Sequence, residues 1–370
     1  CVANMPGGVP RTSTMALNRA TLPLLIKLAD QGYKKTLLEN KNYLAGLNVY
    51  RGNITFKGVS DAFDLKYTPA SDLLLKNKMR SLPHEAKVVV IGGGIAGCST
   101  AYHLANNGWN TVLIERDVLT SGTTWHAAGM VTQLGTTPQI TKIRKNSVKF
   151  YNDLKDITGL DTSFKQTGTI NIATTKSRHQ EFMRQKTMSK LFNLDIEIID
   201  KHKFKTLYPI ARNKDVFSGL YIPQDGQADP EILTKNISIA AKKKGVKIIE
   251  KCKLEKILKR GNQIRGVKTN LGTLNCEYIV LCAGMWSRQI GEAAGVSIPL
   301  YPNEHFYMIT EDYKNLPKIL PTFRDPDTYL YAREYHGKIM LGIFEPNAKN
   351  AFKKTGKVPN NFSFGEFKVN

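Results

Sequence analysis

Gly92, Gly94 and Gly97 stand in the spacing GxGxxG directly after the apolar run Lys87–Ile91, and Glu115 closes a second apolar run 23 residues beyond Gly92. This constellation is the signature of a dinucleotide site. The first glycine permits a tight turn. The second lets the backbone approach a pyrophosphate at the positive end of a helix, and the third lets helix and strand pack closely. Glu115 is placed to accept hydrogen bonds from the adenosine ribose. The competing reading, a chance glycine cluster in a loop, does not account for strand, turn, helix, second strand and acid all agreeing. Ile95, Arg116 and Leu254 are further candidate cofactor-binding positions. The motif alone does not separate FAD from NAD.

Two other stretches bear on that choice. Tyr278–Trp286, YIVLCAGMW, is an apolar strand running into small residues, with Gly284 and Trp286 as candidate contacts. Such a strand late in the chain, paired with an early GxGxxG, resembles flavoprotein oxidoreductases more than NAD dehydrogenases, although an ordinary buried strand ending in a turn reads similarly. Leu119–Val131, LTSGTTWHAAGMV, is rich in small and hydroxylated residues whose amides can fold against phosphates and a flavin edge. It contributes the candidates Gly122, Thr123, Thr124, Trp125, His126, Ala127, Ala128, Gly129 and Met130. A lone loop histidine is ordinarily a polar surface or satisfied core residue, so chemistry alone gives His126 no special role.

The elements that must position these residues follow from apolar periodicity. Lys87–Ile91, a helical pattern through Leu104, the break at Gly108 and the short strand Thr111–Glu115 form a βαβ unit. Alternating stretches such as Thr169–Thr174 and a polar helix around Arg178–Leu191 suggest a separate mixed domain. The α/β pattern returns with a helix from Asp229 through Lys244, a strand Val246–Glu250, a hairpin around Gly261 and Gly272, and the strand Tyr278–Cys282. Past Pro299 the chain alternates again, at Phe306–Thr310, Tyr329–Arg333 and Ile339–Phe344. The expected class is therefore α/β, with a Rossmann-like nucleotide domain, residues 86–162 and 226–298, interleaved with a mixed α+β substrate domain, residues 163–225 and 299–370. Residues 76–85 read as a polar linker after a distinct segment, residues 1–75. In that segment Thr21–Glu39 has the spacing of an amphipathic helix, with Ser13 or Thr14 as its cap.

The chain has 370 residues, 41% hydrophobic and 23% charged, a profile that argues against disorder of the whole. The formal charge of +22, from 53 basic and 31 acidic residues, invites a nucleic-acid reading. The basic residues are scattered, however, and no aromatic residues interleave with them as a stacking platform requires, so no nucleic-acid partner is expected. A basic surface suits an acidic electron carrier. Five cysteines without CxxC spacing point to neither a zinc site nor a disulfide scaffold. Cys98 and Cys282 read as small core residues. No apolar run is long enough for a membrane span. The chain opens on Cys1 rather than Met, so the true start is expected to lie upstream and targeting is not legible at this end.

Residues 86–345 resemble the sarcosine and dimethylglycine dehydrogenase family almost continuously: VVVIGGGIAGCSTAYHL, LIERDVLTSGTTWHAAGMV, KTLYPI, LYIPQDGQADP, VLCAGMWSRQIGEAAGV and PLYPNEHFYMIT. The wording of SGTTWH and Lys205–Pro209 leans towards the sarcosine branch. The resemblance implies a D-amino-acid oxidase type fold, FAD bonded covalently through His126, and a histidine and tyrosine beside the substrate amine, matched here by His305 in NEHFY and Tyr331 in YLYARE. Two structural polar residues on sheet strands would look the same. It also implies oxidative demethylation of a small N-methyl amino acid in the mitochondrial matrix. Hydride passes to flavin N5, and the product is glycine with formaldehyde, or with methylene-tetrahydrofolate where a C-terminal folate domain is present. Electrons then pass to electron-transferring flavoprotein. The related regulatory protein of pyruvate dehydrogenase phosphatase shares the fold and is expected to lack this histidine, so His126 favours an enzyme over a catalytically silent subunit.

Family members continue beyond residue 370 with a glycine-rich flavin segment and a folate-binding domain that the tail FKKTGKVPNNFSFGEFKVN does not resemble. Residues 1–75 instead resemble the C-terminal end of alanine dehydrogenase, with Val2–Met5 matching the loop beside its nicotinamide. The glycine-rich NAD turn and the catalytic groups of that enzyme have no counterpart here, so the segment is expected to be inactive by itself. The chain reads as the middle of a fusion, or of a merged gene, between two amino-acid dehydrogenases.

Overall fold

The β-branched run before Gly92 becomes the strand Glu85–Ile91, with Val88, Val89, Val90 and Ile91 all buried. A strand buried on both faces needs no polar alternation, and Val88–Ile91 has none; Glu85 and Lys87 alternate with buried Ala86 only at its start. The computed structural model describes residues 10–50, 52–75 and 82–362; Val2–Met5 and residues 76–81 of the expected linker lie outside them. The chain divides into two units, Cys1–Ser81 and Leu82–Asn370.

In the second unit a six-stranded sheet runs in the order Lys247–Ile249, Thr111–Ile114, Glu85–Ile91, Gly272–Leu281, Gln263–Thr269, Leu254–Arg260. Its first four strands pair in parallel and the last two extend it antiparallel. Val88 and Val90 face the helices Ile95–Asn106 and Pro230–Lys243, meeting Cys98, Ala101, Ile237 and Ala241. Val89 and Ile91 face the other way, onto Val112, Ile114, Ile249 and Leu274. The expected hairpin followed by a separate strand Tyr278–Cys282 is corrected: one ten-residue strand, Gly272–Leu281, does both jobs, pairing with its hairpin partner at the start and with Glu85–Ile91 further along. Asp229 caps the Pro230–Lys243 helix by accepting from the backbone N–H groups of Glu231 and Ile232, both at 2.9 Å.

A seven-stranded mixed sheet carries the other half of the unit, in the order Tyr307–Ile309, Lys338–Ile343, Leu330–Tyr335, Thr322–Asp325, Thr169–Ala173, Ser218–Ile222, Glu197–Ile199. Thr322–Asp325 and Thr169–Ala173 pair in parallel, the remaining neighbours antiparallel. The loop after Gly122 runs into a separate two-stranded pairing, Met130–Val131 antiparallel to Gly226–Gln227.

The first unit is mostly helical. The single helix expected over Thr21–Glu39 is corrected to two, Pro10–Gln31 and Tyr33–Glu39, because Gly32 adopts φ +73°, a left-handed conformation that stops a helix. Ser13 and Thr14 fall inside the first helix rather than at its cap. Among the described residues no helix is long and apolar enough to cross a membrane.

Candidate functional site

The glycine turn sits where the parallel strands end, the usual ligand position of such sheets. Gly92 has φ +113°, and a side chain there would run into the carbonyl of Cys282, at the end of the neighbouring strand. A side chain at Gly97 would overlap the Gly92 carbonyl, so the helix packs on the turn only because both residues lack one. Gly94 opens towards Thr124, whose Oγ1 accepts from the Ile95 N–H at 3.2 Å and would be 2.9 Å from an added Cβ. The turn and its surroundings line a cleft of about 420 Å³ whose walls include Ile95, Glu115, Arg116, Leu254, Gly284 and Trp286, and the stretch from Ser121 through Thr124.

Glu115 reaches back to the turn, accepting from the Gly93 N–H at 2.6 Å and the Asp117 N–H at 2.8 Å. Burial raises its carboxyl above the usual range, and these two N–H groups oppose the rise. A carboxylate has about four lone-pair positions, so capacity remains for ribose hydroxyls. The Arg116 guanidinium lies 3.9 Å over the Trp286 ring and donates to the Phe362 carbonyl. The residues fit a dinucleotide. The helix N-terminus at Ile95 has no acidic residue in its first turn to compete with a phosphate. The buried Trp286 Nε1, on the cleft wall, has no hydrogen-bond partner among the described residues.

The cleft lining ends at Thr124, and the chain continues as the 3₁₀ turn Thr124–His126 into a second cluster. The rings of Trp125 and His126 lie 3.8 Å apart between centroids, tilted by 33°. His126 Nδ1 lies 3.3 Å from the hydroxyl of Tyr307, on the edge strand of the other sheet. The Ala127 N–H closes the turn onto the Thr124 carbonyl, and Ala128 links it to Gly129. Gly129, at φ +69°, accepts from the Ala228 N–H at 2.8 Å, and Met130 enters the short strand pair.

His305 and Tyr331 meet on either side of one ring. Phe344 lies edge-on to His305 at 5.3 Å and stacks on Tyr331 at 4.9 Å. His305 Nδ1 is 3.1 Å from Glu345 Oε2. Tyr331 is only 5% exposed, and burial raises its phenol pKa, with Tyr307 next in effect. Neither His305 nor Tyr331 lines the nucleotide cleft; Tyr331 is near enough to Tyr307 to be affected by it, and Tyr307 in turn faces His126.

One residue of this cluster is absent from the sequence reading. Arg333, two places beyond Tyr331 on the same strand and therefore on the same face, is 4% exposed. Its Nε and Nη2 are buried without hydrogen-bond partners among the described residues, and a Cβ at Gly129 would be 3.4 Å from its Cζ. Burial pulls its pKa down, and Asp229 chiefly opposes this. Yet Asp229 caps its helix through Oδ1, Glu334 accepts from Gln227 and Gly337, and no ion pair to Arg333 occurs among the described residues; its guanidinium lies 5.1 Å over the Tyr335 ring. A buried guanidinium without a paired carboxylate is costly, and such costs concentrate where a ligand supplies the missing charge.

A family model described as FAD dependent oxidoreductase matches residues 87–362. The chain belongs to this family. Its second unit has the D-amino-acid oxidase type fold, in line with L-proline dehydrogenase from P. horikoshii, which superposes with a TM-score of 0.68 at 29% identity over 71% of each chain. The chain is 36% identical over 287 residues to 4-methylaminobutanoate oxidase (formaldehyde-forming) of Paenarthrobacter nicotinovorans, covering 77% of this chain and 34% of that protein. It is 34% identical over 310 residues to the mitochondrial sarcosine dehydrogenase of Homo sapiens, covering 82% and 33%. It thus spans about a third of the length of these curated relatives. Residues 1–57 match the C-terminal domain of the alanine dehydrogenase/PNT family, and 74 residues are 51% identical to alanine dehydrogenase of Halomonas elongata, 20% of each chain.

Proposed function

We propose that the second unit is the flavin- and substrate-facing part of an enzyme that oxidatively demethylates a small N-methyl amino acid, sarcosine foremost. The observation that carries the reading is the placement of Tyr331 and the unpaired Arg333 on one face of one strand, beside the loop that leads out of the nucleotide cleft. The residues assigned to the cofactor are Gly92, Gly94, Ile95 and Gly97 at the pyrophosphate turn, Glu115 at the ribose, and Arg116, Leu254, Gly284 and Trp286 along the cleft. The stretch from Gly122 through Met130 is assigned to the flavin edge, with His126 as its covalent anchor. FAD bound there supplies a two-electron acceptor for the carbon–hydrogen bond beside the amine nitrogen.

The chain's own residues do the rest. Arg333 pairs with the substrate carboxylate and fixes the molecule's direction. His305 takes the proton of the substrate ammonium, leaving the nitrogen lone pair available, and the Tyr331 hydroxyl holds the amine. Phe344 walls both groups. Residues 86–162 with 226–298, and 163–225 with 299–370, are the respective nucleotide and substrate domains in this reading. Glycine and formaldehyde are the products, or methylene-tetrahydrofolate where a folate domain accompanies the chain. Electron-transferring flavoprotein is the acceptor, and the mitochondrial matrix is the compartment, both by likeness to the relatives.

The test is anaerobic mixing of the FAD-loaded chain with sarcosine while the flavin absorbance is followed. Bleaching by sarcosine, but not by glycine or methylamine, is the expected result. Equal bleaching by methylamine would remove the role of the carboxylate, and no bleaching by any N-methyl amino acid would overturn the reading.

A further inference from the structure

Glu345 and His305 are brought together by strand pairing rather than by chance surface proximity. Tyr307–Ile309 pairs antiparallel with Lys338–Ile343 in the register Tyr307↔Gly342, and extending that register two residues sets His305 across from Phe344. The ring contact at 5.3 Å bears this out. On the far side of His305 the two segments are tied again, by the Glu304 N–H donating to the Lys349 carbonyl at 2.8 Å and the Ala351 N–H donating to the Pro302 carbonyl at 3.0 Å. The Phe344 N–H is fixed in turn on the Tyr329 carbonyl at 3.0 Å. The 3.1 Å contact from His305 Nδ1 to Glu345 Oε2 is therefore held between two backbone anchors. The neighbouring acid, Glu304, is directed to Lys349 instead, at 3.4 Å.

An ionised carboxylate only accepts hydrogen bonds, so the imidazole nitrogen facing it must carry the hydrogen. We infer that Glu345 is a positioning residue that holds neutral His305 in its Nδ1–H tautomer, leaving Nε2 as the lone-pair acceptor for the proton of a secondary ammonium substrate. The step balances without a further reagent. The N–H bond of the substrate ammonium breaks, its electron pair stays on nitrogen as the free amine, and the proton bonds to Nε2. The imidazolium that forms is then stabilised by the carboxylate at its other nitrogen. Glu345 titrates below the usual range, its own backbone N–H and His305 outweighing partial burial, so it is anionic wherever a secondary ammonium would bind. The inference rests on the reading that His305 faces the substrate amine, and it adds what fixes that residue's tautomer.

The test reads the tautomer directly. Imidazole nitrogen shifts of His305, assigned by loss of the signal in His305→Asn, are measured in the full chain as wild type, Glu345→Gln, Glu345→Ala and Glu345→Asp. The wild type is expected to show Nδ1–H, Glu345→Ala to revert to the Nε2–H form that free histidine favours, and Glu345→Asp to restore Nδ1–H at least in part. With FAD and sarcosine, Glu345→Gln is expected to slow flavin reduction about tenfold at saturating substrate, with little change in the concentration for half-saturation. An Nε2–H tautomer in the wild type, or an unchanged tautomer in Glu345→Ala, overturns the inference. If His305→Asn reduces the flavin at the wild-type rate, the reading of His305 itself fails. A slow His305→Asn beside an unaltered Glu345→Gln would leave that reading standing and remove only the role of Glu345.

Discussion

The phenol of Tyr331 occupies the space that a side chain at Gly342 would need. The two residues are paired across adjacent strands, and a Cβ at position 342 would be 2.7 Å from the ring's Cε1 and closer still to its hydroxyl end. Gly342 is also paired with Tyr307 on its other side, so its missing side chain leaves room between the two tyrosines on the flanking strands, of which Tyr307 faces His126. Gly342→Ala is expected to displace Tyr331 and slow amine oxidation about tenfold or more, while leaving FAD bound, because position 342 lies in the other sheet and does not line the nucleotide cleft. Flavin content per chain and the rate of anaerobic bleaching give the two readings. Loss of flavin in step with activity would show that the strand matters only for folding.

Arg333 carries the opposite relation between stability and function. Replacing an unpaired buried guanidinium with methionine removes a desolvated charge, so Arg333→Met is expected to raise the stability of the substrate-free chain by about 2 kcal/mol. The same change should weaken sarcosine binding about 100-fold, since a charge-assisted hydrogen bond contributes about 1.5–3 kcal/mol. Denaturant unfolding and the sarcosine dependence of bleaching measure the two effects. A variant that is both less stable and unchanged in substrate affinity would identify Arg333 as a packing residue.

What could be read in advance divides along physical lines. The turn was legible because backbone geometry demands glycine at Gly92 and Gly97, and a side chain at either would collide with main-chain atoms. The parallel core was legible because Val88 through Ile91 are apolar on both faces. Thr322–Asp325 was not, since TFRD has no strand pattern of its own and becomes a strand through its partners, Thr169–Ala173 on one side and Leu330–Tyr335 on the other. The helix break at Gly32 was hidden because Ala29 and Tyr33 keep helical phase across it. Arg333 was invisible as a site residue for a different reason. An arginine in an alternating strand reads as a solvent-facing one, and only the three-dimensional structure shows its Nε and Nη2 buried without hydrogen-bond partners among the described residues.

Asp225 gives a pH prediction. It is fully buried, and burial raises its carboxyl from 3.8 to about 7 against the pull of the Gln133 N–H, Thr169 and Arg144. The fold therefore keeps a proton that the unfolded chain has released. The stability this represents is present below about pH 4 and is lost as pH rises towards 7, up to about 4 kcal/mol in all. Asp225→Asn keeps an oxygen for the Gln133 N–H, 2.8 Å away, and has no proton to lose. Its advantage over the wild type in thermal unfolding should accordingly grow between about pH 5 and pH 8. A gap that stays constant or narrows over this range would show that Asp225 remains ionised in the fold.

His126 is expected to bond covalently to the flavin, and its surroundings specify how. It follows Thr124, whose hydroxyl receives the Ile95 N–H at the cleft, so the turn Thr124–His126 carries the chain from the nucleotide site directly to the imidazole. The Tyr307 hydroxyl, 3.3 Å from Nδ1, engages that nitrogen and orients the ring, and Trp125 packs against it, tilted, at 3.8 Å between centroids. Attack on the flavin methyl by Nε2 is the outcome expected. Three variants separate attachment from binding. His126→Ala should still bind FAD through the glycine turn and Glu115 but release all of it on acid precipitation. Tyr307→Phe should retain FAD and lower the covalent fraction, because the ring loses its orienting partner. His126→Ala with Gly94→Val should hold no flavin. Tryptic mass spectrometry of the wild type should locate the flavin on the peptide containing His126, and a linkage through Nδ1, or free FAD alone in the supernatant, would contradict the assignment.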